Sequence, residues 1–337
     1  MSTKNLLEKV YNGQHLNSDE SRELFSSIFN GEVDSHQLSA MLGAMKARRE
    51  HPDEIAGAAV SMRSFALNPG LPVDGLFDTC GTGGDGKHSF NISSAVAIIL
   101  ASMGYKIAKH GNRSVSSLSG SADFYEKLGV PVSITADKAL AYFNKTGFVF
   151  LFAPHYHPAM KHAVPVRKAL ATRTIFNYLG PLTNPAQVKS QMIGVYRKDF
   201  LPLYADAAKR IGYDNLVLYS SEDGMDEVSP YAPTHVIQIR GQHEEMMTID
   251  PSPYITREEA DSIPSRLDAD GNAALFRESI SQKGANALPK LVSLSTALAL
   301  FTLGYSNDYE KCFAASYDHY TGGGISQTLD ALTKENQ

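Results

Sequence analysis

The sequence predicts an α/β protein with a mostly parallel central sheet, preceded by a block of helices alone. The first 66 residues carry only helical patterns, and from about residue 76 short apolar runs alternate with helical segments. Two of those runs lead straight into loops rich in glycine or serine, which puts ligand-type loops at one edge of the sheet. At 337 residues the chain also passes the ~250–300 at which a single core usually stops growing, so two subdomains are expected.

Within the helical block, Leu6, Leu7, Val10 and Tyr11 share one face. A second helix opens at Asn17 or Ser18, with Asp19 and Glu20 in its first turn, and Gly31 suits its left-handed stop. In a third, Leu38, Met41, Leu42 and Met45 recur at helical spacing. Pro52 fits the first position of a fourth helix over 53–66, with Ile55, Ala59 and Met62 inward. The small residues Ala56, Gly57, Ala58 and Ala59 allow another helix to come close, from the same domain or from a second subunit.

In the second part, strands are expected at 76–79, 106–109, 148–152, 192–196 and 216–219, with helices at 93–103, 123–128 and 201–211 between them. Segments 235–240 and 245–250 flank Gly241 as a hairpin or paired edge strands, and long helices follow at 273–281 and 291–303. The stretch 161–185 is helical, then rich in proline and asparagine.

Hydrophobic residues make up 43% and charged residues 20%, which suits a globular protein and argues against disorder. The net charge of −5 lacks the Lys and Arg excess of a sequence-blind nucleic-acid binder, yet leaves room for a local phosphate pocket. Cys80 and Cys312 lie far apart without metal-ligand spacing and read as reduced thiols of a cytoplasmic protein. No signal peptide fits the start. The apolar stretches 95–103 and 297–303 fall short of the ~18–20 residues of a membrane span, so no membrane partner is expected.

Four segments carry chemistry. Residues 78–94 read DTCGTGGDGKHSFNISS: a short strand, a loop with Gly81, Gly83, Gly84 and Gly86, then a helix beginning near Ser93. Glycines let backbone N–H groups close on an anion, and the helix N-terminus adds positive potential. The spacing is neither a dinucleotide fingerprint nor a P-loop. Residues 109–123, KHGNRSVSSLSGSAD, set Lys109, His110, Asn112 and Arg113 beside a run of small hydroxyls, as a pyrophosphate cradle would. In GMDEVSP, 224–230, Asp226 and Glu227 can face one ion only if the backbone is a loop; Mg²⁺ takes one or two such carboxylates plus phosphate and water. From residue 150, FLFAPHYHPAMKHAVPVRKALATRTIFNYLGPLTNPA gathers His155, His157, Lys161, His162, Arg167, Lys168 and Arg173. Three histidines spaced two and five apart with no carboxylate near make a poor metal site; a helix turning Arg167 to a flat anionic substrate fits better.

Together, GTGGD, NIS, KHGNR-VSS-SGSAD, HPAMKH-PVR, RTIFN-LGPLTNPA and DE resemble the anthranilate phosphoribosyltransferases of tryptophan biosynthesis, in order and over the whole chain. The resemblance implies transfer of the phosphoribosyl group of phosphoribosyl pyrophosphate (PRPP) to anthranilate. It implies a small helical domain, discontinuous in sequence (1–70 and 159–185), beside a larger α/β domain (71–158 and 186–337), and a homodimer joined through the helical domains, which would account for the fourth helix. It assigns PRPP to Gly81, Gly84, Asp85, Ser89, Asn91, Ile92, Ser93, Ser94, Ser121 and the loop Lys109, His110, Gly111, Asn112, Arg113, Ser114, Val115, Ser116 and Ser117. It assigns two Mg²⁺ per subunit, one to Ser93 and Glu227 and one to Asp226 with Glu227. Anthranilate falls to Gly81, Asn112 and Arg167, with His110, His157 and Gly180 lining its path; His110 is the candidate to accept the amine proton. Leu118, Ser220, Ser221 and Ser295 depart from the family pattern at positions that are not ligands. A pyrimidine nucleoside phosphorylase shares the architecture and a Lys/Ser-rich phosphate loop, but needs no divalent ion; the intact DE pair and KHGN favour the transferase.

Overall fold

The computed structural model describes residues 1–114, 118–281 and 286–334. Four helices open the chain: α1 (Thr3–Tyr11), α2 (Ser18–Phe29), α3 (Ser35–Arg48) and α4 (Pro52–Ser64). Their starts are written in the sequence. The Asn17 side chain accepts from the Glu20 N–H while Glu20 reaches back to the Asn17 N–H, and Asp34 and Gln37 repeat the exchange for α3. Gly31, at φ +79°, takes the left-handed turn after α2. Leu6, Leu7 and Val10 are buried, but Tyr11 is exposed and donates its hydroxyl to the Gln37 carbonyl at 3.1 Å.

Helix α4 decides between the two readings of its small residues. A Cβ at Gly57 would overlap the Ser18 carbonyl oxygen and come within 2.7 Å of the Ser21 Cβ, so α4 crosses α2 nearly backbone to backbone. Glycine stands there although alanine is the better helix former by ~1 kcal/mol. No residue from 52 to 63 is exposed. The small residues therefore serve packing within the chain, and α4 offers no open face to a second subunit.

The second part begins with β1 (Leu76–Asp78), α5 (Ile92–Ser102), β2 (Lys106–Gly111), α6 (Ser121–Lys127), α7 (Ala136–Thr146) and β3 (Phe148–Phe152). A helical excursion follows: α8 (Ala153–Tyr156), a 3₁₀ turn (Pro158–His162), α9 (Val164–Leu170) and α10 (Phe176–Leu182). The chain then returns to the sheet through β4 (Ser190–Gly194), α11 (Leu201–Ile211), β5 (Asn215–Ser221), β6 (Thr234–Arg240) and β7 (His243–Ile249). It ends in α12 (Arg257–Asp261), α13 (Ala269–Ile280), α14 (Leu288–Thr302), α15 (Tyr309–Thr321) and α16 (Gly324–Lys334).

The seven strands lie in the order β3-β2-β1-β4-β5-β6-β7, with β1 to β5 parallel and β6–β7 an antiparallel hairpin at one edge. The order reverses between β1 and β4, and parallel sheets bind ligands beyond the strand ends at such a switch point. Each face of the sheet has its own core. Along β5, Leu216 and Leu218 join Ile193, Ile237, Ile239, α11 and the bundle of α1–α4, α9 and α10; Val217 and Tyr219 join Met192, Val236, α5, α13, α14 and α16. Among the described residues no helix is long and apolar enough to cross a membrane.

Candidate active site

At the switch point the loop after β1 folds over the end of β4. The Thr82 N–H donates to the Gly194 carbonyl at 2.9 Å, and the Tyr196 N–H to the Thr82 hydroxyl at 3.3 Å. A Cβ at Gly81 would stand 3.2 Å from the Gly194 oxygen, and one at Gly194 would overlap the Asp226 carbonyl. Three backbones meet there without room for side chains. Gly83, Gly84 and Gly86 hold φ of +63°, +79° and +72°, a region other residues rarely adopt. The glycine-rich run is thus demanded by conformation.

The acidic pair lies in a loop, as two carboxylates facing one ion require. Asp226 sits against Asp85, its N–H 3.5 Å from the Asp85 carboxylate. Burial, then the charges of Asp85 and Glu227, hold the Asp226 carboxyl well above its usual range. Burial also pushes Glu227 up to about 7, against the opposing pull of the Ser93 N–H and the Lys109 charge. Three converging carboxylates, Glu227 buried and Asp85 and Asp226 half-buried, fit a cation. Among the described residues no three acidic, His or Cys side chains close a metal cage, so an ion would draw further ligands from substrate and water, as Mg²⁺ does.

Glu227 is fixed from several sides. Its Oε1 accepts from the Ser93 N–H at 2.9 Å, and its Oε2 from Tyr219 at 3.3 Å and Ser295 at 3.5 Å. Its carbonyl accepts from the Ser221 hydroxyl at 2.7 Å, which itself accepts from the Ser229 N–H at 3.1 Å. Two of the departures from the family pattern, Ser221 and Ser295, therefore touch this carboxylate residue. Ser220 is buried with no partner for its hydroxyl among the described residues, and Leu118 is exposed. At the start of α5, the Asn91 side chain does not cap the helix; it exchanges hydrogen bonds with Ser119 at 2.7 and 3.3 Å, tying the serine loop to the helix. Ser89 is half-buried, and Ile92 and Ser94 are buried behind this end.

From β2, the buried Lys109 donates to the Thr79 carbonyl at 2.9 Å and lies near both Asp78 and Glu227. Arg113 departs from the expected cradle. Its guanidinium pairs with Asp123 at 2.8 Å and Glu126 at 2.7 Å, so its charge is already met. Asn112 takes the Arg113 N–H on its side chain at 2.7 Å and the Ser121 hydroxyl on its carbonyl at 3.2 Å. Gly111 lies tight against Ser121 and Phe150, the Ser114 N–H donates to Asp123 at 3.1 Å, and Val115, Ser116 and Ser117 lie outside the described residues.

On the far side the buried rings of His110 and His157 meet edge to face, 5.2 Å apart. Among the described residues none of their four nitrogens makes a well-formed hydrogen bond, and backbone at Gly180 lies by His110 and at Thr183 by His157. Burial drives His110 well below its usual value and His157 to about 4, so both are neutral at pH 7. Arg167, half-buried, lies 5.5 Å over the Phe176 ring, and burial alone lowers its pKa with no carboxylate countering it. A residue the sequence analysis gave no role, Arg173, donates to the Gly84 carbonyl at 3.0 Å and stacks 3.8 Å over Tyr196. Its place in RTIFN was the only signal.

The model of a glycosyl transferase family's helical bundle domain matches residues 4–66, and that of its a/b domain residues 74–324. The anthranilate phosphoribosyltransferase of Idiomarina loihiensis is 40% identical over 320 residues, 94% of each chain. That of Pasteurella multocida is 39% identical over 334 residues, 99% of this chain and all of the other. The chain belongs to the anthranilate phosphoribosyltransferase family. Solved anthranilate phosphoribosyltransferases share its fold. The crystal structure from Thermus thermophilus superposes with a TM-score of 0.90 at 32% identity, over 98% of this chain and 99% of that one. The enzyme from Saccharomyces cerevisiae in complex with PRPP and Mg gives 0.87 at 25%, over 99% and 97%.

Proposed function

We propose that this protein transfers the 5-phosphoribosyl group of PRPP to the amine of anthranilate, giving N-(5-phosphoribosyl)anthranilate and pyrophosphate, in tryptophan biosynthesis in the cytoplasm. The observation that carries the reading is that the chain holds two unlike anion sites, the first of them at the switch point. A glycine loop with converging carboxylates suits a magnesium pyrophosphate, and a half-buried Arg167 with no carboxylate partner among the described residues, together with a neutral histidine pair, suits a flat aromatic carboxylate.

Ser93 and Glu227 would hold one Mg²⁺ and Asp226 with Glu227 a second, with Asp85 beside them. The ions supply positive charge for the departing pyrophosphate. Lys109 and the N–H groups of residues 81–86 bind and orient the same group, already in place before the C1–O bond breaks. Arg167 turns the anthranilate carboxylate so that the amine, neutral at pH 7, faces C1; alignment of this kind is worth up to ~7–11 kcal/mol. No base is needed before attack. His110 is available in its neutral form, though its depressed pKa makes it a weak holder of the amine proton.

We assign residues 1–70 and 159–185 to the helical domain and 71–158 and 186–337 to the α/β domain, a division supported by Val166, Phe176 and Leu179 in the bundle's core. With α4 covered, a homodimer through the helical domain would use the outer faces of α1 and α3, where Tyr11, Ala40, Gly43 and Ala47 are exposed. Sedimentation should then give a dimer that Gly43→Glu splits; a monomeric unaltered protein would remove the proposal.

Anthranilate fluorescence tests the reaction directly. Its loss on adding protein, PRPP and Mg²⁺, abolished by EDTA, is the expected result. No loss with folded protein turns the search to thymidine or uridine with phosphate.

A further inference from the structure

A line of buried hydrogen bonds runs beneath the site and belongs to none of the roles above. It begins at the half-buried Arg63 on α4, whose Nε donates to the Leu182 carbonyl at 2.7 Å and whose Nη2 donates to the Tyr213 hydroxyl at 2.5 Å. Tyr213 donates to Gln191 Oε1 at 3.1 Å. The Gln191 amide donates to the Pro181 carbonyl at 2.8 Å and to Asp78 Oδ2 at 3.4 Å. Asp78, 0% exposed, also accepts from the Asn184 amide at 2.9 Å and the His110 N–H at 3.2 Å.

The line can be drawn only one way. Arginine has donors alone, so the Tyr213 hydroxyl must accept from Arg63 and pass its own proton to Gln191. That fixes the amide with its oxygen toward Tyr213 and its nitrogen toward Asp78. Every bond is polarised from the Arg63 cation to the Asp78 carboxylate, so each strengthens the next. A buried polar line with one arrangement is stiff, and its loss would leave unpaired groups at both ends of the break.

The line meets both sides of the site. Leu182, Pro181 and Asn184 flank Gly180 and Thr183, the backbone against the His110–His157 pair. Asp78 holds the His110 N–H and lies beside Lys109, which reaches the Thr79 carbonyl under the glycine loop.

Resting on the reading of function given above, we propose that the line Arg63–Tyr213–Gln191–Asp78 positions the acceptor and donor sides against each other, so that occupancy of one alters affinity at the other. The four are positioning residues; none touches a substrate.

Anthranilate titrations of the full-length protein test this, with and without Mg²⁺ and inorganic pyrophosphate, a donor-side probe that cannot react. In the unaltered protein the probe should change the anthranilate Kd by a factor of about 5–50, within the usual range of site coupling. Tyr213→Phe keeps the ring and removes the hydroxyl that links Arg63 to Gln191. It should bring that factor at least about fivefold closer to one, with anthranilate still bound. A factor unchanged in the variant, or equal to one in the unaltered protein, overturns the proposal, whatever happens to the melting temperature. Should Tyr213→Phe not fold, Arg63→Lys gives the same readout, since it keeps the charge and loses the fork to Leu182 and Tyr213. If the unaltered protein binds no anthranilate at all, the functional reading falls and this proposal with it.

Discussion

Glu227→Gln should lower turnover by about 10²–10³-fold while making the metal-free protein harder to unfold at pH 8. The two effects share one cause. Glutamine keeps the shape and can still accept from the Ser93 N–H, but it cannot carry the charge that a metal ion needs. Burial has raised this carboxyl from 4.5 to about 7 in the folded chain. Between those values the folded state holds a proton that the unfolded state has released. That stabilisation is fully present below about 4.5 and is lost as pH rises through about 7. At pH 8 the wild-type side chain therefore sits ionised at a cost on the order of 1–3 kcal/mol, which the amide avoids. Thermal unfolding in EDTA should show the variant higher by a few degrees at pH 8, and the two proteins level near pH 4.5. A variant that melts lower at pH 8 would mean that Glu227 holds the fold together rather than waiting for an ion.

Arg167→Ala should raise the anthranilate KM about a hundredfold and leave the PRPP KM within about twofold. Hydrogen bonds to a charged group contribute roughly 1.5–3 kcal/mol, and a guanidinium meets a carboxylate with two of them. Among the described residues the side chain has no carboxylate partner to compensate its burial, only the face of the Phe176 ring. Arg167→Lys should fall between, because lysine restores the charge without the planar fork. Steady-state kinetics with each substrate varied in turn decide the matter. Equal losses for both substrates would take this role from Arg167.

Local signals in the sequence carried well into the structure. Asn17 with Glu20, Gly31 and Pro52 mark helix ends through bonds made within a few residues, and the glycines at 83, 84 and 86 mark a backbone that no other residue adopts easily. Contacts between distant segments did not carry. The run KHGNR reads as two cations for a phosphate, but Asp123 and Glu126, a helix away, take Arg113. Ala56 to Ala59 do not themselves name the partner of α4, which is Ser18 of α2 against Gly57. Asp78, Gln191 and Tyr213 look like ordinary strand and loop residues, since their partners lie as far as 150 positions apart. Helix α15 escaped notice because only Cys312, Ser316 and Tyr320 of its residues are buried, too sparse and too polar a stripe to stand out.

The sheet with a core on each side has a consequence for how this protein can be divided. By family pattern the chain divides into two modules, one matched over 4–66 and another over 74–324. Folding does not respect that seam, because the bundle's apolar side is closed by Ile193, Leu216, Leu218 and Ile237 of the strands. Cut free, the first module would be a sticky fragment, and the second would bare a greasy wall. The two matched segments therefore share one core and stand as a single body.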